Sequence, residues 1–402
     1  MRALGFAALS LLVGCGATIT TPHDAAVADS GVDSGVMVVT DSGNPDAGGP
    51  DAGVPDAGVP DAGFDAGVDA GVDAGFDAGF DAGKPDVGDA GDGDFVVMPP
   101  FTTPLDLTDR GNPKGKFFNV TMDSTKSVIF DGADPTLNPA KTRNLTRNIR
   151  VYVPAKYVNG TKAPLLVIQD GPGPINEIAF AIDNLTVATD PARRIPPFIA
   201  IAVQNGGDDS LGSERGLEYD TMSDRYARFI ELEVLPAVLS DTAIKAAYPN
   251  IGFTSDPEGR ATYGCSSGAA AAFTRAWFRP DLFRRVISYS GTFVAQQNAG
   301  QPESPIYPLG AWEYHSSLQL IANQPVKPVR AFLNVNEFDN GYNAPEAGHH
   351  NWVMANNRMS AALAARGYHR RYVLAKTLGH CAGEAYRSTL VDALIWVWRG
   401  YP

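Results

Sequence analysis

Residues 260–278 read RATYGCSSGAAAAFTRAWF, and this stretch decides how the rest of the chain is interpreted. Its first five residues predict a short strand, and its last twelve, rich in alanine, predict a helix. Gly264 to Gly268 lie between them and fit the pattern G-x-S-x-G, in which glycines allow a strained serine between strand and helix. The stretch predicts a nucleophile elbow centred on Ser266; the alternative is a Gly-Ser turn without chemistry.

Strand-like and helix-like segments alternate outward from this stretch over some 300 residues. Strands are predicted at 117–122, 149–153, 165–169, 198–203, 286–290, 329–335 and 372–375, and helices at 223–239, 351–365 and 389–399. Such alternation predicts an α/β domain with a mostly parallel central sheet and helices on both faces. Together with the elbow, it predicts the α/β-hydrolase fold.

A serine hydroxyl is a weak nucleophile until a base takes its proton, so a histidine is required. On this fold the chain order is serine, acid, histidine. Among the histidines, His380 is the best placed to be this base, because it lies in a loop after a predicted strand and before the last helix. The other histidines after the serine are weaker candidates by position: His315, His349, His350 and His369.

The acid that orients the base is expected just after the predicted strand 329–335. Glu337 and Asp339 both qualify. The position of these two residues does not separate them, and both remain candidates at this point.

The oxyanion hole needs two backbone N–H donors. One is expected from Ser267, directly after the nucleophile. The other is expected from the loop 170–173, which follows the first buried strand. Pro172 has no N–H, so the donor there is predicted to be Gly171 or Gly173.

The chain has three cysteines, and their positions suggest different roles. Cys265 immediately precedes the predicted nucleophile, and Cys381 immediately follows the predicted base. If Ser266 and His380 meet, these neighbours could reach disulfide distance. An even pair in an exported protein predicts that bond; two free buried thiols are the alternative.

The amino terminus predicts a targeting segment, residues 1–15. Arg2 precedes a short apolar stretch that ends in Leu12-Val13-Gly14-Cys15, which resembles the lipobox of bacterial lipoproteins. The resemblance implies a lipidated Cys15 and a protein held at the outer membrane or cell surface by that anchor alone. An ordinary signal peptide with an incidental Cys15 is the alternative.

Residues 16–94 are predicted to be a disordered linker, and residues 95–402 the catalytic domain. The linker contains 17 Asp and one Lys, largely in Asp-Ala-Gly repeats, whereas the whole chain has a net charge of −13. The rest of the chain is therefore near neutral, which gives no argument for a nucleic-acid partner. No metal-ligand spacing and no nucleotide-binding loop is visible in the sequence, so neither metal nor cofactor is predicted.

Residues from about 113 to 400 resemble the esterase D superfamily, in the branch of enterochelin esterase-like proteins and carbohydrate esterases. The landmarks are 167–171, 218–220, the G-x-S-x-G motif, Asn351-Trp352 and 392–396. In relatives the segment that carries the acid reads roughly F-L-Q-D-G-E-N-D. Aligned without gaps to residues 332–339, this segment puts the acid at Asp339, so the resemblance favours Asp339 over Glu337. The pairing of Cys265 with Cys381 resembles the clamp of tannases and fungal feruloyl esterases.

The resemblance implies a serine esterase outside the cytoplasm that acts on an acyl or feruloyl ester of a carbohydrate, with Ser266, Asp339 and His380 as the catalytic triad. A siderophore trilactone esterase and a non-catalytic ligand-binding protein on a hydrolase fold are the alternatives. Trp312 and Trp352 are candidates for stacking on a sugar or phenolic ring, with burial in the core as an equal alternative. Arg215, Glu218 and Tyr219 are candidates for a polar rim that binds substrate, although a structural network is the favoured interpretation of these three.

Overall fold

The computed structural model describes residues 90–141, 143–209, 211–296 and 306–402. The predicted leader, with Cys15, and the predicted linker up to residue 89 lie outside the described residues. Those expectations therefore remain predictions.

A sheet of nine strands organises the described part of the chain. The strands are β1 (Gly93–Val97), β2 (Lys116–Asp123), β3 (Thr146–Val153), β4 (Leu165–Ile168), β5 (Ile199–Val203), β6 (Arg260–Cys265), β7 (Arg285–Tyr289), β8 (Arg330–Phe338) and β9 (Arg370–Gly379). Their order is β1-β9-β8-β7-β6-β4-β5-β3-β2. Only the pairings of β3, with β5 and with β2, are antiparallel in this sheet. A separate two-stranded sheet pairs Lys162–Ala163 with Gly252–Phe253.

Helices cover both faces of the nine-stranded sheet. They are α1 (Ile175–Leu185), α2 (Glu214–Asp220), α3 (Arg225–Phe229), α4 (Leu235–Ser240), α5 (Thr242–Ala247), α6 (Ser267–Phe278), α7 (Leu320–Asn323), α8 (Trp352–Ala365) and α9 (Gly383–Trp398). Apolar side chains of α6 and α8 join one core, and those of α1 and α9 join another. Successive side chains of a strand point to opposite faces, so β4 contributes Val167 to the first core and Ile168 to the second. The predicted α/β fold is confirmed.

The predicted helix at 223–239 is not regular. It consists of α3, a π-helical turn at Ile230–Val234, and α4. Pro236 lies in the first turn of α4 and has no N–H to bond the carbonyl four residues earlier. The regular bonding pattern is therefore interrupted in the turn before it.

Two boundaries also differ from the predictions. Gly93 and Asp94 belong to β1 and pair with Arg371 and Tyr372 of β9, although the sequence assigns both to the linker. Helix α9 begins at Gly383, six residues earlier than predicted. Among the described residues, no helix combines the length and the apolar character needed to cross a membrane.

The parallel strands bring four segments to one edge of the sheet. Ser266 follows β6, Asp339 follows β8 and His380 follows β9, while the loop 170–173 comes close after β4. The carboxyl ends of parallel strands meet at the same edge, where open α/β sheets commonly bind ligands.

Candidate active site

Ser266 occupies a strained turn between β6 and α6. Its φ and ψ are 58° and −130°, a conformation that residues other than glycine rarely adopt. A Cβ on Gly264 would lie 2.1 Å from the carbonyl oxygen of Gly268, so only glycine fits there. The strand, turn and helix have the geometry that the sequence predicts for a nucleophile elbow.

Thr292 holds the serine hydroxyl and had no signal in the sequence. Its Oγ1 lies 3.3 Å from Ser266 Oγ, and Trp352 Nε1 donates to the same Oγ1 at 3.3 Å. The Trp352 ring also meets the His380 ring edge-on, with centroids 6.0 Å apart. In the described part of the chain, no hydrogen bond joins Ser266 directly to His380. Such bonds are often long in free enzymes and tighten when substrate binds.

A disulfide joins the residues next to Ser266 and His380. Cys265 and Cys381 are bonded across a sequence separation of 116, with their Cα atoms 6.2 Å apart. The predicted pairing is therefore present in the structure. The covalent link holds the loop that carries His380 next to the turn that carries Ser266.

The Asp339 carboxylate is buried at the end of β8 and faces the His380 imidazole. It accepts four hydrogen bonds: His380 Nδ1 at 2.5 Å, Ser290 Oγ at 2.6 Å, Asn340 N at 2.8 Å and Asn336 N at 3.3 Å. Ser290 Oγ also accepts from Cys381 N at 3.1 Å, which ties the carboxylate to the disulfide loop. With Nδ1 held by Asp339, Nε2 of His380 is the nitrogen left for proton transfer.

Glu337, the other acid left open by position, contacts different residues. Its carboxylate pairs with Lys376 and accepts from Thr377 N at 2.9 Å. The hydrogen bond from Lys376 lowers the pKa of Glu337. The geometry therefore favours Asp339 as the partner of His380.

The two glycines of the loop 170–173 that are candidates for the oxyanion hole have different backbone contacts. Gly171 N donates to Val203 O at 2.9 Å and is thus occupied within the sheet. The prediction of Gly171 as an oxyanion donor is wrong for this reason. Gly173, with a φ of 46°, remains the candidate in this loop, beside Ser267 at the start of α6.

Asp170 anchors that loop through its side chain. Arg215 binds its carboxylate with two nitrogens, Nε to Oδ1 at 2.8 Å and Nη2 to Oδ2 at 3.0 Å. Asn205 Nδ2 donates to Oδ1 at 2.6 Å, and Asp170 N donates to the Tyr219 hydroxyl at 3.0 Å. A Cβ on Gly268 would lie 2.8 Å from Asp170 Oδ2, so this glycine leaves space for the carboxylate.

Asp220, at the end of α2, is buried near the start of α6. Burial raises its pKa to about 7, and the nearby Ser267 side chain partly opposes that increase. Helix α2 therefore reaches both sides of the expected oxyanion hole, the loop through Arg215 and the start of α6 through Asp220.

Three of the predicted substrate-binding residues are buried in structural contacts. Glu218 forms an ion pair with Arg147 at 2.5 Å, and Tyr219 is fully packed below the loop 170–173. The ring of Trp312 stacks on His349 with centroids 4.5 Å apart. The structural interpretation therefore holds for Glu218, Tyr219 and Trp312, and the candidate roles of these three residues in substrate binding are wrong.

The remaining two candidate substrate-binding residues, Trp352 and Arg215, bind side chains that hold the site in place. Trp352 is 9 % exposed and binds Thr292, and Arg215 binds Asp170. Sequence reasoning missed an exposed aromatic pair on either side of Asp339. Phe338 and Tyr342 are 48 % and 49 % exposed, with ring centroids 5.2 Å apart. Within the described ranges, no group of His, Cys, Asp and Glu side chains could hold a metal ion.

Several solved structures that match this chain at low sequence identity are esterases. A ferulic acid esterase is 18 % identical, over 72 % of this chain and 100 % of its own, with a TM-score of 0.46. The enterobactin esterase of Shigella flexneri, solved with enterobactin, is 17 % identical over 73 % of this chain and 62 % of its own, with a TM-score of 0.47. A ferulic acid esterase of Anaeromyces mucronatus, in complex with ferulic acid, is 11 % identical over 73 % of this chain and 95 % of its own, with a TM-score of 0.47.

No curated protein matches this chain. The model of the family Esterase, described as "Putative esterase", matches residues 141–397, which is more than half of the chain. That range contains the elbow, both strand ends that carry Asp339 and His380, and the disulfide. The chain belongs to this esterase family, and it is a carboxylic ester hydrolase of the α/β-hydrolase type.

Proposed function

We propose that the protein is an extracytoplasmic serine esterase that acts on an acyl or feruloyl ester of a carbohydrate. Ser266 is the nucleophile, His380 the base, and Asp339 the acid that orients the base. The observation that carries this proposal is the 2.5 Å contact between His380 Nδ1 and Asp339 Oδ1, in a loop bonded through Cys381 to the neighbour of Ser266.

In the first half of the reaction, Ser266 Oγ attacks the ester carbonyl carbon while His380 Nε2 takes the hydroxyl proton. The tetrahedral intermediate collapses, the bond to the alcohol oxygen breaks, and Nε2 returns the proton to the leaving alcohol. An acyl-enzyme remains on Ser266. In the second half, His380 takes a proton from water, the hydroxide attacks the acyl carbon, and the carboxylic acid leaves as Ser266 recovers its proton.

The developing negative charge falls on the carbonyl oxygen. Ser267 N, in the first turn of α6, and Gly173 N are the proposed donors to that oxygen. The positive end of the α6 dipole adds to their effect. Because Arg215 and Asn205 fix Asp170, the loop that carries Gly173 is held before substrate arrives.

The proposed location rests on two features. The leader resembles that of lipoproteins, which implies attachment through Cys15, and the charged linker would hold the domain away from the membrane. The Cys265–Cys381 disulfide fits an oxidising compartment outside the cytoplasm. The exposed pair Phe338–Tyr342 offers a surface on which a sugar or phenolic ring could stack.

The test is hydrolysis by the purified protein and by the variant Ser266→Ala. With 4-nitrophenyl acetate, kcat is expected to fall by about 10⁴-fold or more, because removal of a nucleophilic serine abolishes covalent catalysis. Ser240→Ala, which changes an exposed serine on α4, is the matched control and is expected to retain wild-type activity. Equal turnover by Ser266→Ala and the control would refute the mechanism. Acetylated xylan, a feruloylated arabinoside and a triserine lactone then distinguish the substrate classes.

A further inference from the structure

The segment after β7, residues 290–292, contacts both ends of the proposed triad. At one end, Ser290 Oγ donates to Asp339 Oδ2 at 2.6 Å. At the other end, Thr292 N donates to Ser266 O at 3.1 Å, and Thr292 Oγ1 lies 3.3 Å from Ser266 Oγ. Thr292 is 1 % exposed. This residue is therefore attached to the nucleophile through both its backbone and its side chain, away from solvent.

Two residues of α8, Asn356 and Trp352, fix the position of Thr292. Asn356 is fully buried, and its Nδ2 donates to Gly291 O at 2.8 Å and to Trp352 O at 2.9 Å. The amide thus joins the residue before Thr292 to the first residue of α8. Trp352 Nε1 in turn donates to Thr292 Oγ1 at 3.3 Å. The Thr292 hydroxyl is therefore held beside Ser266 before any substrate binds.

The indole of Trp352 decides the direction of the hydrogen bonds at Thr292. An indole N–H can only donate, so Thr292 Oγ1 accepts from it and keeps its own proton to donate. A buried hydroxyl proton without an acceptor is costly, and within the described residues Ser266 Oγ is the other hydrogen-bond partner of this hydroxyl. Thr292 therefore donates to Ser266 Oγ. The Ser266 proton remains available for His380 Nε2, since Nδ1 of that ring is held by Asp339.

The oxygen that receives this hydrogen bond changes charge twice in the proposed reaction. On attack, Ser266 Oγ forms a bond to the acyl carbon while its proton passes to His380 Nε2. On release, that bond breaks, its electron pair stays on Oγ, and Nε2 returns the proton. Partial negative charge develops on Oγ at both points, and a hydroxyl that donates to this atom stabilises the charge.

The length of the contact between the two hydroxyls fits a bond that strengthens during the reaction. In the resting protein both hydroxyls are neutral, and 3.3 Å exceeds the ~2.5–3.0 Å usual for O–H···O bonds. Bonds to an ionised oxygen are shorter and roughly twice as strong. Only an interaction that is stronger in the transition state than in the ground state accelerates the chemical step. The Thr292 hydroxyl meets this requirement, because its acceptor gains charge as the reaction proceeds.

We propose that Thr292 is a catalytic residue outside the triad, whose hydroxyl donates a hydrogen bond to Ser266 Oγ as charge develops there. Trp352 is the positioning residue that fixes the direction of this bond. The inference rests on the proposed function and extends it to a group that the triad does not include.

The experiment measures acylation of the purified full-length protein by 4-nitrophenyl acetate in a stopped-flow instrument. This measurement separates the saturation constant for substrate from the rate constant of acylation. Thr292→Val keeps the shape of the side chain and removes the hydroxyl. It is expected to lower the rate constant by about 10- to 100-fold, as for loss of a hydrogen bond to a charged group, and to leave the saturation constant within about twofold. Thr292→Ser, which restores a hydroxyl, is expected to recover most of the wild-type rate.

The matched control is Thr274→Val. Thr274 is also a buried threonine whose Oγ1 accepts from an aromatic side chain, the Tyr314 hydroxyl at 2.9 Å, but it lies within α6. Its variant is expected to leave the acylation rate unchanged. Equal acylation rates for Thr292→Val and wild type, with Ser266→Ala inactive, would refute the inference and leave the esterase function standing. Equal turnover by Ser266→Ala and wild type would refute the function itself.

Trp352→Phe tests the positioning role, and it keeps the inference testable where Thr292→Val does not fold. It removes the indole N–H and retains a ring beside His380, so the acylation rate should fall, but less than in Thr292→Val. The double variant should be no slower than Thr292→Val, because the indole acts through the hydroxyl. Trp396→Phe, which removes an indole that donates to Asp92 Oδ1 at 3.0 Å, is the control and should be unchanged. An unchanged rate in Trp352→Phe, or additive losses in the double variant, would refute the action of Trp352 through Thr292.

Discussion

Two carboxylates on opposite sides of Ser266 hold the site in different ways. Asp339, on the base side, receives four donors and directs one oxygen at the His380 imidazole, which gains and loses a proton in the proposed mechanism. Asp170, on the oxyanion side, receives Arg215 and Asn205, and it fixes a stretch of backbone. In the proposed reaction, the first carboxylate acts on a group that changes charge, whereas the second fixes a loop whose charge does not change.

This difference predicts unequal consequences of mutation. A change on the base side alters the protonation chemistry itself, whereas a change on the oxyanion side alters only how well the donors are placed. The disulfide links the base side to the elbow, and Asp220 lies behind the elbow, so their effects on turnover should be smaller still. Four predictions follow that order.

Asp339→Asn tests the base side and is expected to give the largest loss. The amide cannot stabilise the imidazolium and favours the wrong tautomer, so kcat/KM should fall by about 10³- to 10⁴-fold. Glu337→Gln is the matched control, because it removes a carboxylate two residues away that pairs with Lys376. It should change kcat/KM by less than about twofold. A comparable loss in both variants would contradict the assignment of the acid.

Arg215→Lys tests the oxyanion side. Lysine cannot bind both oxygens of Asp170 in the planar geometry of a guanidinium, so the loop with Gly173 should become less ordered. Loss of one oxyanion donor costs about 10²- to 10³-fold, so partial displacement should lower kcat by about 10- to 100-fold with little change in KM. Arg279→Lys, in the surface pair with Asp281, is the control and should be neutral. An increase in KM alone would indicate a substrate-binding role for Arg215 instead.

Replacement of both Cys265 and Cys381 by Ala tests the link between the two sides. The free energy of unfolding in urea should fall by about 3–5 kcal/mol, because the bond closes a long loop in the unfolded chain. We expect kcat to fall less than tenfold, since Ser290 still joins Asp339 to the His380 loop. Dithiothreitol should lower the stability of the wild type and leave the double variant unchanged; equal sensitivity of both would exclude the disulfide as the cause.

Asp220→Asn tests the buried acid behind the elbow, and it should change kcat by less than about threefold. The pKa of Asp220 is about 7 in the folded state, against a usual 3.8, so the folded protein holds a proton that the unfolded chain has lost. The contribution of Asp220 to stability therefore falls as the pH rises from about 4 to 7, by up to about 1.4 kcal/mol per pH unit.

The Asn variant has no such proton to lose, so its stability relative to the wild type should increase between pH 5 and pH 8. Urea unfolding at both pH values measures this difference. Glu214, whose pKa burial also raises to about 7, stays in both proteins and cancels in the comparison. A constant difference between the two proteins would show that Asp220 is ionised at both pH values.

The local features of the site could be predicted well from the sequence. Gly264 and Gly268 predicted the strained turn at Ser266, because a Cβ at either position would clash with a neighbouring atom. The buried strands were visible as apolar runs, and the parallel sheet follows from their alternation with helices. His380 was singled out by its place between the last strand and the last helix. These conclusions depend on neighbours within a few residues along the chain.

The acid that faces His380 could not be identified from its position in the chain. Glu337 and Asp339 are both polar residues at one strand end, and their separation comes from distant partners, Lys376 for the first and Ser290 with His380 for the second. Likewise, the amide of Gly171 is taken by Val203 of the neighbouring strand. No pattern in the sequence indicates which strand will lie next to the strand that precedes Gly171.

The sequence by itself therefore determined the class of fold, and it singled out the candidate nucleophile Ser266, the candidate base His380 and the cysteines beside them, since each depends on local backbone requirements or chain order. The resemblance to relatives favoured Asp339, but only the tertiary structure showed its contact with His380, which glycine amide is engaged within the sheet, and that Glu218, Tyr219 and Trp312 are buried while Phe338 and Tyr342 are exposed. The physical reason is that hydrogen-bond partners and burial are set by contacts between segments far apart in the chain, which form only when the sheet assembles.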